Sequence, residues 1–295
     1  MTDIQRTLTD IITWAQYRDD VRAVLLTSSR ASKMKQPDAL SDLDIVLIVK
    51  DVLPFLHSLV WQEDIARVMV RLPVTDDLNN ANQRTHYRLV FYEGGNKVDY
   101  TLMNVGLLEH FVTTQTLTAD LDVGYKVLVD KDDLASKLQP PTYTAYIVHP
   151  PNQKLLDDTV QEFFFESTYV AKNLWRGELW PAHYSLEQVM KQQMLRRVLE
   201  WYVSSQQDWT FSPGVLGRGL QNHLPKEMWQ ALVETFVRFE VGEMWKSLFD
   251  TIDLFRDVSK HVADGLNLDY PQAVDDEVTA YLKQIQRMPN REASS

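Results

Sequence analysis

Residues 42–49 read Asp-Leu-Asp-Ile-Val-Leu-Ile-Val. The run from Ile45 to Val49 is continuously apolar and rich in branched side chains, which predicts a buried β-strand. Side chains alternate along a strand, so Asp42 and Asp44 share one face while Leu43 and Ile45 take the other. Two carboxylates about 7 Å apart and pointing the same way repel each other unless a cation sits between them. A lone D-x-D often marks nothing more than a solvated strand face. Here a third acid, Asp99, sits inside the apolar strand pattern Lys97–Met103. Buried carboxylates are costly without partners, which argues for a purpose. Three carboxylates on neighbouring strands can form a clamp for two divalent cations in phosphoryl chemistry.

Upstream, Val21 to Leu26 predicts another buried strand, running into Ser28-Ser29-Arg30. That tripeptide offers backbone N–H groups, two hydroxyls and a guanidinium, all donors suited to phosphate oxygens. Ile4, Leu8, Ile11, Ile12 and Ala15 keep one helical face, with Thr2 and Gln5 as a capping box. Downstream, a helix is expected from about Leu53 to Val68. Strands are expected at Arg88–Tyr92 and Lys97–Met103, joined by a turn at Glu93-Gly94-Gly95-Asn96. The first part of the chain is therefore α+β, with three or four strands.

Pro140, Pro141, Pro150 and Pro151 punctuate the chain, and the boundary is drawn between residues 138 and 139. Domain one is 1–138 and domain two 139–295. The second keeps helical spacing: Leu156 to Leu174, Leu186 to Tyr202, Glu227 to Asp250, Asp253 to Leu266 and Asp275 to Arg287. Short connections favour an antiparallel helical bundle. Trp175, Trp180, Trp201 and Trp245 are assigned to its core, where large aromatics dominate. His86, His149, His183 and His261 have no ligand spacing and read as structural or exposed.

A chain of 295 residues is long for one core, consistent with two domains. The net charge of −11 disfavours wrapping of nucleic acid and would attract a polycationic small molecule, although solubility explains the same charge. The absence of cysteine excludes disulfides, thiolate metal sites and a cysteine nucleophile. No signal peptide or membrane-spanning run is read, so the expected location is the cytoplasm, with no membrane partner.

The order of strand, Ser turn, D-x-D and later strand Asp resembles the nucleotidyltransferase superfamily of polymerase beta type. Val24–Arg30, Asp42–Val46, Lys97–Leu102, Val123–Asp132, Ser167–Arg176 with Glu178-Leu179, Leu199–Tyr202 and Gly217–Leu220 look more specifically like the aminoglycoside 6-adenylyltransferases, the streptomycin-modifying enzymes of antibiotic resistance. The resemblance covers nearly the whole chain. It implies a nucleotidyltransferase-like mixed sheet with helices, followed by a C-terminal helical bundle. It also implies transfer of AMP from ATP to an aminoglycoside hydroxyl, releasing pyrophosphate. On this sequence Asp42 and Asp44 would hold Mg²⁺, with two ions expected. Asp99 would complete the metal site or receive the hydroxyl proton. Ser28, Ser29 and Arg30 would bind the triphosphate, and Lys172 would reach it from the helical domain. Glu166 and Glu178 would bind the cationic groups of the acceptor. One position departs from the family turn, which reads Gly-Ser-Arg; here it reads Ser28-Ser29-Arg30. Glycine permits close backbone approach to phosphate and a positive φ, so Ser28 suits the role only with negative φ and its side chain turned away. The residues also admit a different acceptor, whether small molecule or protein side chain, or a descendant that binds without transfer.

Overall fold

The computed structural model describes residues 3–33, 36–73 and 78–289. The proposed cap at Thr2 and the polar tail from residue 290 lie outside them. The chain divides into two compact units, residues 1–145 and 146–295.

In the first unit, helix α1 (Asp3–Tyr17) leads into β1 (Val21–Thr27), a 3-10 turn at Ser28–Arg30 and β2 (Leu43–Val49). Two short helices, α2 (Leu53–His57) and α3 (Val60–Glu63), precede β3 (Val68–Arg71), β4 (His86–Tyr92) and β5 (Lys97–Asn104). Helices α4 (Val105–Thr114) and α5 (Ala119–Asp122) and strand β6 (Tyr125–Asp130) follow. Among the described residues six strands form one mixed sheet in the order β3-β4-β5-β2-β1-β6. The β2–β5 pair is parallel and the other neighbours are antiparallel.

Both faces of the sheet carry a core, which is why β1 and β2 read as nearly continuous apolar runs. On one face Leu43, Ile45, Leu47, Tyr100 and Leu102 pack with Ile11 and Ala15 of α1, Phe55 and Trp61. On the other, Val46, Ile48 and Met103 pack with Leu108 of α4 and Leu121 of α5. Asp44 and Asp99 share the parity of Val46 and Thr101, so they belong to this second face, at the strand end where the apolar cover gives out. The β4–β5 turn is as expected: Gly94 and Gly95 take φ of 91° and 86°, and the Tyr92 and Asn96 backbones close it.

Two expectations for this unit are corrected. The single helix from Leu53 to Val68 is two short helices ending in a strand, and the described residues form six strands rather than three or four. Strand β3 lies at the sheet edge with Met69 and Val70 exposed, so its local pattern carries no inward alternation to announce it.

The second unit contains α6 (Gln153–Trp175), α7 (Leu179–His183), a π-helical stretch (Tyr184–Leu195) running into α8 (Arg196–Ser205), α9 (Leu220–His223), α10 (Lys226–Glu234), α11 (Val241–Leu266) and α12 (Gln272–Arg287). One apolar core joins them, and Phe163 and Phe255 stack at 3.6 Å in its centre. The expected helix break near Asp250 falls instead at residues 235–240, between α10 and α11. Trp201 and Trp245 are buried as expected, but Trp180 is 81% exposed and is not a core residue. It is the second residue of the short α7 and meets Phe239 edge-on rather than entering the core. Among the described residues no helix is long and apolar enough to cross a membrane.

Candidate active site

The parallel pairing of β2 with β5 sets Asp44 directly beside Asp99. Asp42 precedes β2 by one residue, and Thr27, the last residue of β1, pairs with Asp44 on the other side. Two acids from separate parts of the chain therefore meet through strand register alone, with a third just before the strand.

Their electrostatics follow from the crowding. Burial first, and then the negative charge of Asp99, push the Asp44 carboxyl up to about 6. Asp42 adds to the repulsion, while a hydrogen bond from the Ser28 hydroxyl works the other way. Between the other two acids stands a residue that was given no role above. The Lys97 ammonium donates to Asp42 Oδ2 at 2.7 Å and to Asp99 Oδ2 at 2.8 Å. Burial works against its charge, but the two carboxylates outweigh burial and hold its pKa above the ordinary lysine value. The signal was available: Lys97 and Asp99 are two apart on one strand and so share a face.

The donor set suits a hard divalent cation, which prefers carboxylate oxygens. Asp99 Oδ1 is buried and has no hydrogen-bond partner among the described residues, so it has a lone pair to offer. The three carboxylates do not converge on a common point: among the described residues no group of three or more acids or histidines is placed to hold a metal ion. Lys97 takes the position between Asp42 and Asp99 instead.

The turn after β1 is tightly determined. Ala31 and Ser32 N–H groups both bond to Ser28 O, and the Lys126 ammonium caps Arg30 O at 3.0 Å. Gly124, with φ of 121°, brings the start of β6 so close that a Cβ there would lie 2.8 Å from Ser32 Cα. Ser28 itself has φ of 58°, the left-handed region, and its hydroxyl turns toward Asp44. Neither condition set for a serine at this position is met. Arg30 points its guanidinium at main-chain oxygens, those of Asp38, Ser41 and Asp42. It thereby ties the turn to the loop that delivers Asp42.

A family model described as streptomycin adenylyltransferase matches residues 1–285. The chain belongs to that family. It is accordingly a nucleotidyltransferase. The aminoglycoside 6-adenylyltransferase of Bacillus subtilis (strain 168) is 32% identical over 267 residues, covering 90% of this chain and 91% of its own. The aminoglycoside 6-adenylyltransferase of Campylobacter jejuni is 28% identical over 273 residues, 92% of each chain. A crystal structure of an aminoglycoside 6-adenyltransferase from Bacillus subtilis aligns with a TM-score of 0.48 at 27% identity, covering 97% of this chain and 98% of that one.

The remaining candidate residues of this nucleotidyltransferase lie in the second unit. Lys172 is half-buried on α6, its ammonium 5.9 Å from the Tyr169 ring centroid. Glu166 is half-buried on the same helix, and Glu178 is exposed at the start of α7. Helical spacing sets Glu166, Tyr169 and Lys172 three apart, along one strip of α6.

Proposed function

We propose that the enzyme transfers AMP from ATP to a hydroxyl of an aminoglycoside such as streptomycin, releasing pyrophosphate. The observation that carries this reading is the side-by-side register of Asp44 and Asp99, with Asp42 beside them, in a chain of the streptomycin adenylyltransferase family. Streptomycin, ATP and Mg²⁺ are the proposal's own specifics. The aminoglycoside 6-adenylyltransferases named above support the acceptor class.

In this reading Asp42, Asp44 and Asp99 would hold Mg²⁺, which when bound would supply charge neutralisation at the α-phosphate and the pyrophosphate leaving group. The acceptor oxygen bonds to the α-phosphorus, the bond from that phosphorus to the pyrophosphate oxygen breaks, and the hydroxyl proton passes to a carboxylate. Asp99, whose Oδ1 has no hydrogen-bond partner among the described residues, would either complete the metal site or take that proton. Ser29 and the backbone N–H groups of its turn bind the triphosphate, helped by Lys172, while Ser28 is engaged with Asp44 instead. Arg30 acts by placing the loop of Asp42. Glu166 and Glu178 bind the acceptor's ammonium or guanidinium groups, consistent with the net charge of −11. The domain expected over residues 1–138 carries the nucleotide chemistry, and the helical part carries acceptor recognition. The reaction takes place in the cytoplasm, where ATP is available.

The test is direct. Streptomycin incubated with the protein, ATP and Mg²⁺ gains the mass of one AMP, and pyrophosphate appears in equal amount. No adduct on streptomycin or on other aminoglycosides, from protein shown to bind ATP, would overturn the acceptor assignment.

A further inference from the structure

The Lys97 ammonium has no part in the reaction as just described, yet it is the best-placed cation at the site. It reaches Asp42 Oδ2 and Asp99 Oδ2 at 2.7 and 2.8 Å, with only 23% of its side chain exposed. Its position follows from sequence. Lys97 opens β5 two residues before Asp99, so the pleat sends both side chains to one face. The parallel register of β5 against β2 then brings the Asp42 end of β2 alongside. The carboxylates of two strands are thus bridged by one side chain.

An ammonium is a donor only and shares no lone pair with a metal ion. A divalent cation drawn to the same oxygens meets a positive charge already seated there. Because the lysine is tethered, its local concentration does not fall when the solution is depleted of cations. The protein therefore carries its own competitor for the metal.

We propose that Lys97 is a tethered counter-ion: it holds Asp42 and Asp99 in place in the nucleotide-free enzyme and competes with a divalent cation for them. The inference rests on the reading of Asp42, Asp44 and Asp99 as the metal-holding residues. It makes Lys97 a positioning residue, acting through the carboxylates. Bare divalent cations bind weakly, and firm binding waits for the added negative charge of the nucleoside triphosphate. Without metal or nucleotide Asp42 and Asp99 are held by the ammonium they share. The enzyme therefore takes its metal as the nucleotide complex rather than loading it beforehand.

The experiment is calorimetric titration of Mn²⁺ into the full-length wild type, Lys97→Met and Lys97→Arg, first without nucleotide and then with a non-hydrolysable ATP analogue. Without nucleotide, Lys97→Met binds Mn²⁺ at least about tenfold more tightly than wild type. Removal of one unit charge about 5 Å from a dication gives that much even at the dielectric constant of water. Lys97→Arg, which keeps the charge, stays within about threefold of wild type. In EDTA, Lys97→Met melts below wild type, and Mn²⁺ raises its melting temperature more than it raises that of wild type. A folded Lys97→Met with affinity equal to or weaker than wild type overturns the competitor role and leaves the metal reading standing. Failure of wild type and both variants to bind Mn²⁺, even with the analogue, overturns the metal reading and the counter-ion role together.

Discussion

Asp44 and Asp99 are register partners on the parallel strands β2 and β5, and their side chains leave the same face of the sheet. The pair costs stability when both are ionised. Burial and the charge of Asp99 raise the Asp44 pKa to about 6, against an ordinary carboxyl at 3.8. A raised folded-state pKa means that this group's stabilising contribution is complete below about pH 4 and is lost as pH rises through about 6. Asp44→Asn removes the charge while leaving an oxygen to accept from Ser28. In EDTA the variant should therefore match wild type near pH 4 and exceed it by about 3 kcal/mol at pH 7. Transfer activity should be abolished at every pH. Thermal melts from pH 4 to 8 check the first outcome, and a stability difference that stays flat across that range would contradict it.

Ser28 combines φ of 58° with a hydroxyl bonded to Asp44. The backbone conformation costs about 1 kcal/mol for a non-glycine residue, and the hydrogen bond to a carboxylate returns a similar amount. Ser28→Gly loses both, so its stability should lie within about 1 kcal/mol of wild type. Ser28→Ala keeps the strain and loses the bond, and should fall by about 1–2 kcal/mol. Steady-state kinetics should separate them further: a lower KM for ATP in Ser28→Gly, where the backbone can approach phosphate, and no gain in Ser28→Ala. Equal stability of the two variants in urea would refute the assignment of strain.

Arg30 spends its guanidinium on the carbonyls of Asp38, Ser41 and Asp42. A fork of donors in fixed geometry makes such contacts, and a lysine ammonium does not replace it. Arg30→Lys should therefore lose about as much kcat as Arg30→Ala, because in both the loop delivering Asp42 is released. Charge contributes little in this view. Rescue of kcat by Arg30→Lys would instead indicate that the residue acts as a phosphate-binding charge.

What the sequence revealed and what it concealed divide along physical lines. Strand β2 was legible from its long apolar run and β5 from its alternation of apolar with polar residues, and the acids stood out against both. Strand β3 was not, because an edge strand with Met69 and Val70 exposed has no inward pattern. The roles of Ser28 and Arg30 depend on a φ value and on backbone carbonyls several residues away, neither of which residue type encodes. Lys97 was legible in principle from its spacing to Asp99, but its second partner, Asp42, comes only with strand pairing. The end of α10 was hidden for a similar reason. Apolar residues continue through Val237 and Phe239, and a distant side chain, the Lys191 ammonium, donates to the Thr235 carbonyl just beyond the helix.

That lysine carries the last prediction. Lys191 is almost wholly buried in the π-helical stretch before α8, with its Nζ 2.6 Å from Glu187 and bonded to Thr235 O and Ser247 Oγ. Burial lowers its pKa and its hydrogen bond with Glu187 opposes that shift. Removing one partner of such a pair strands a charge, which costs far more than the pair contributes. Glu187→Gln should destabilise the protein by about 3 kcal/mol, and Lys191→Met by a similar amount through the stranded Glu187 carboxylate, since Thr235 O keeps its bond from the Ser247 hydroxyl. In the double variant neither charge remains, so its loss should be at least about 1–2 kcal/mol smaller than the sum of the single losses. Urea denaturation of the four proteins closes the cycle, and strict additivity would show that the buried contact does not couple the two residues.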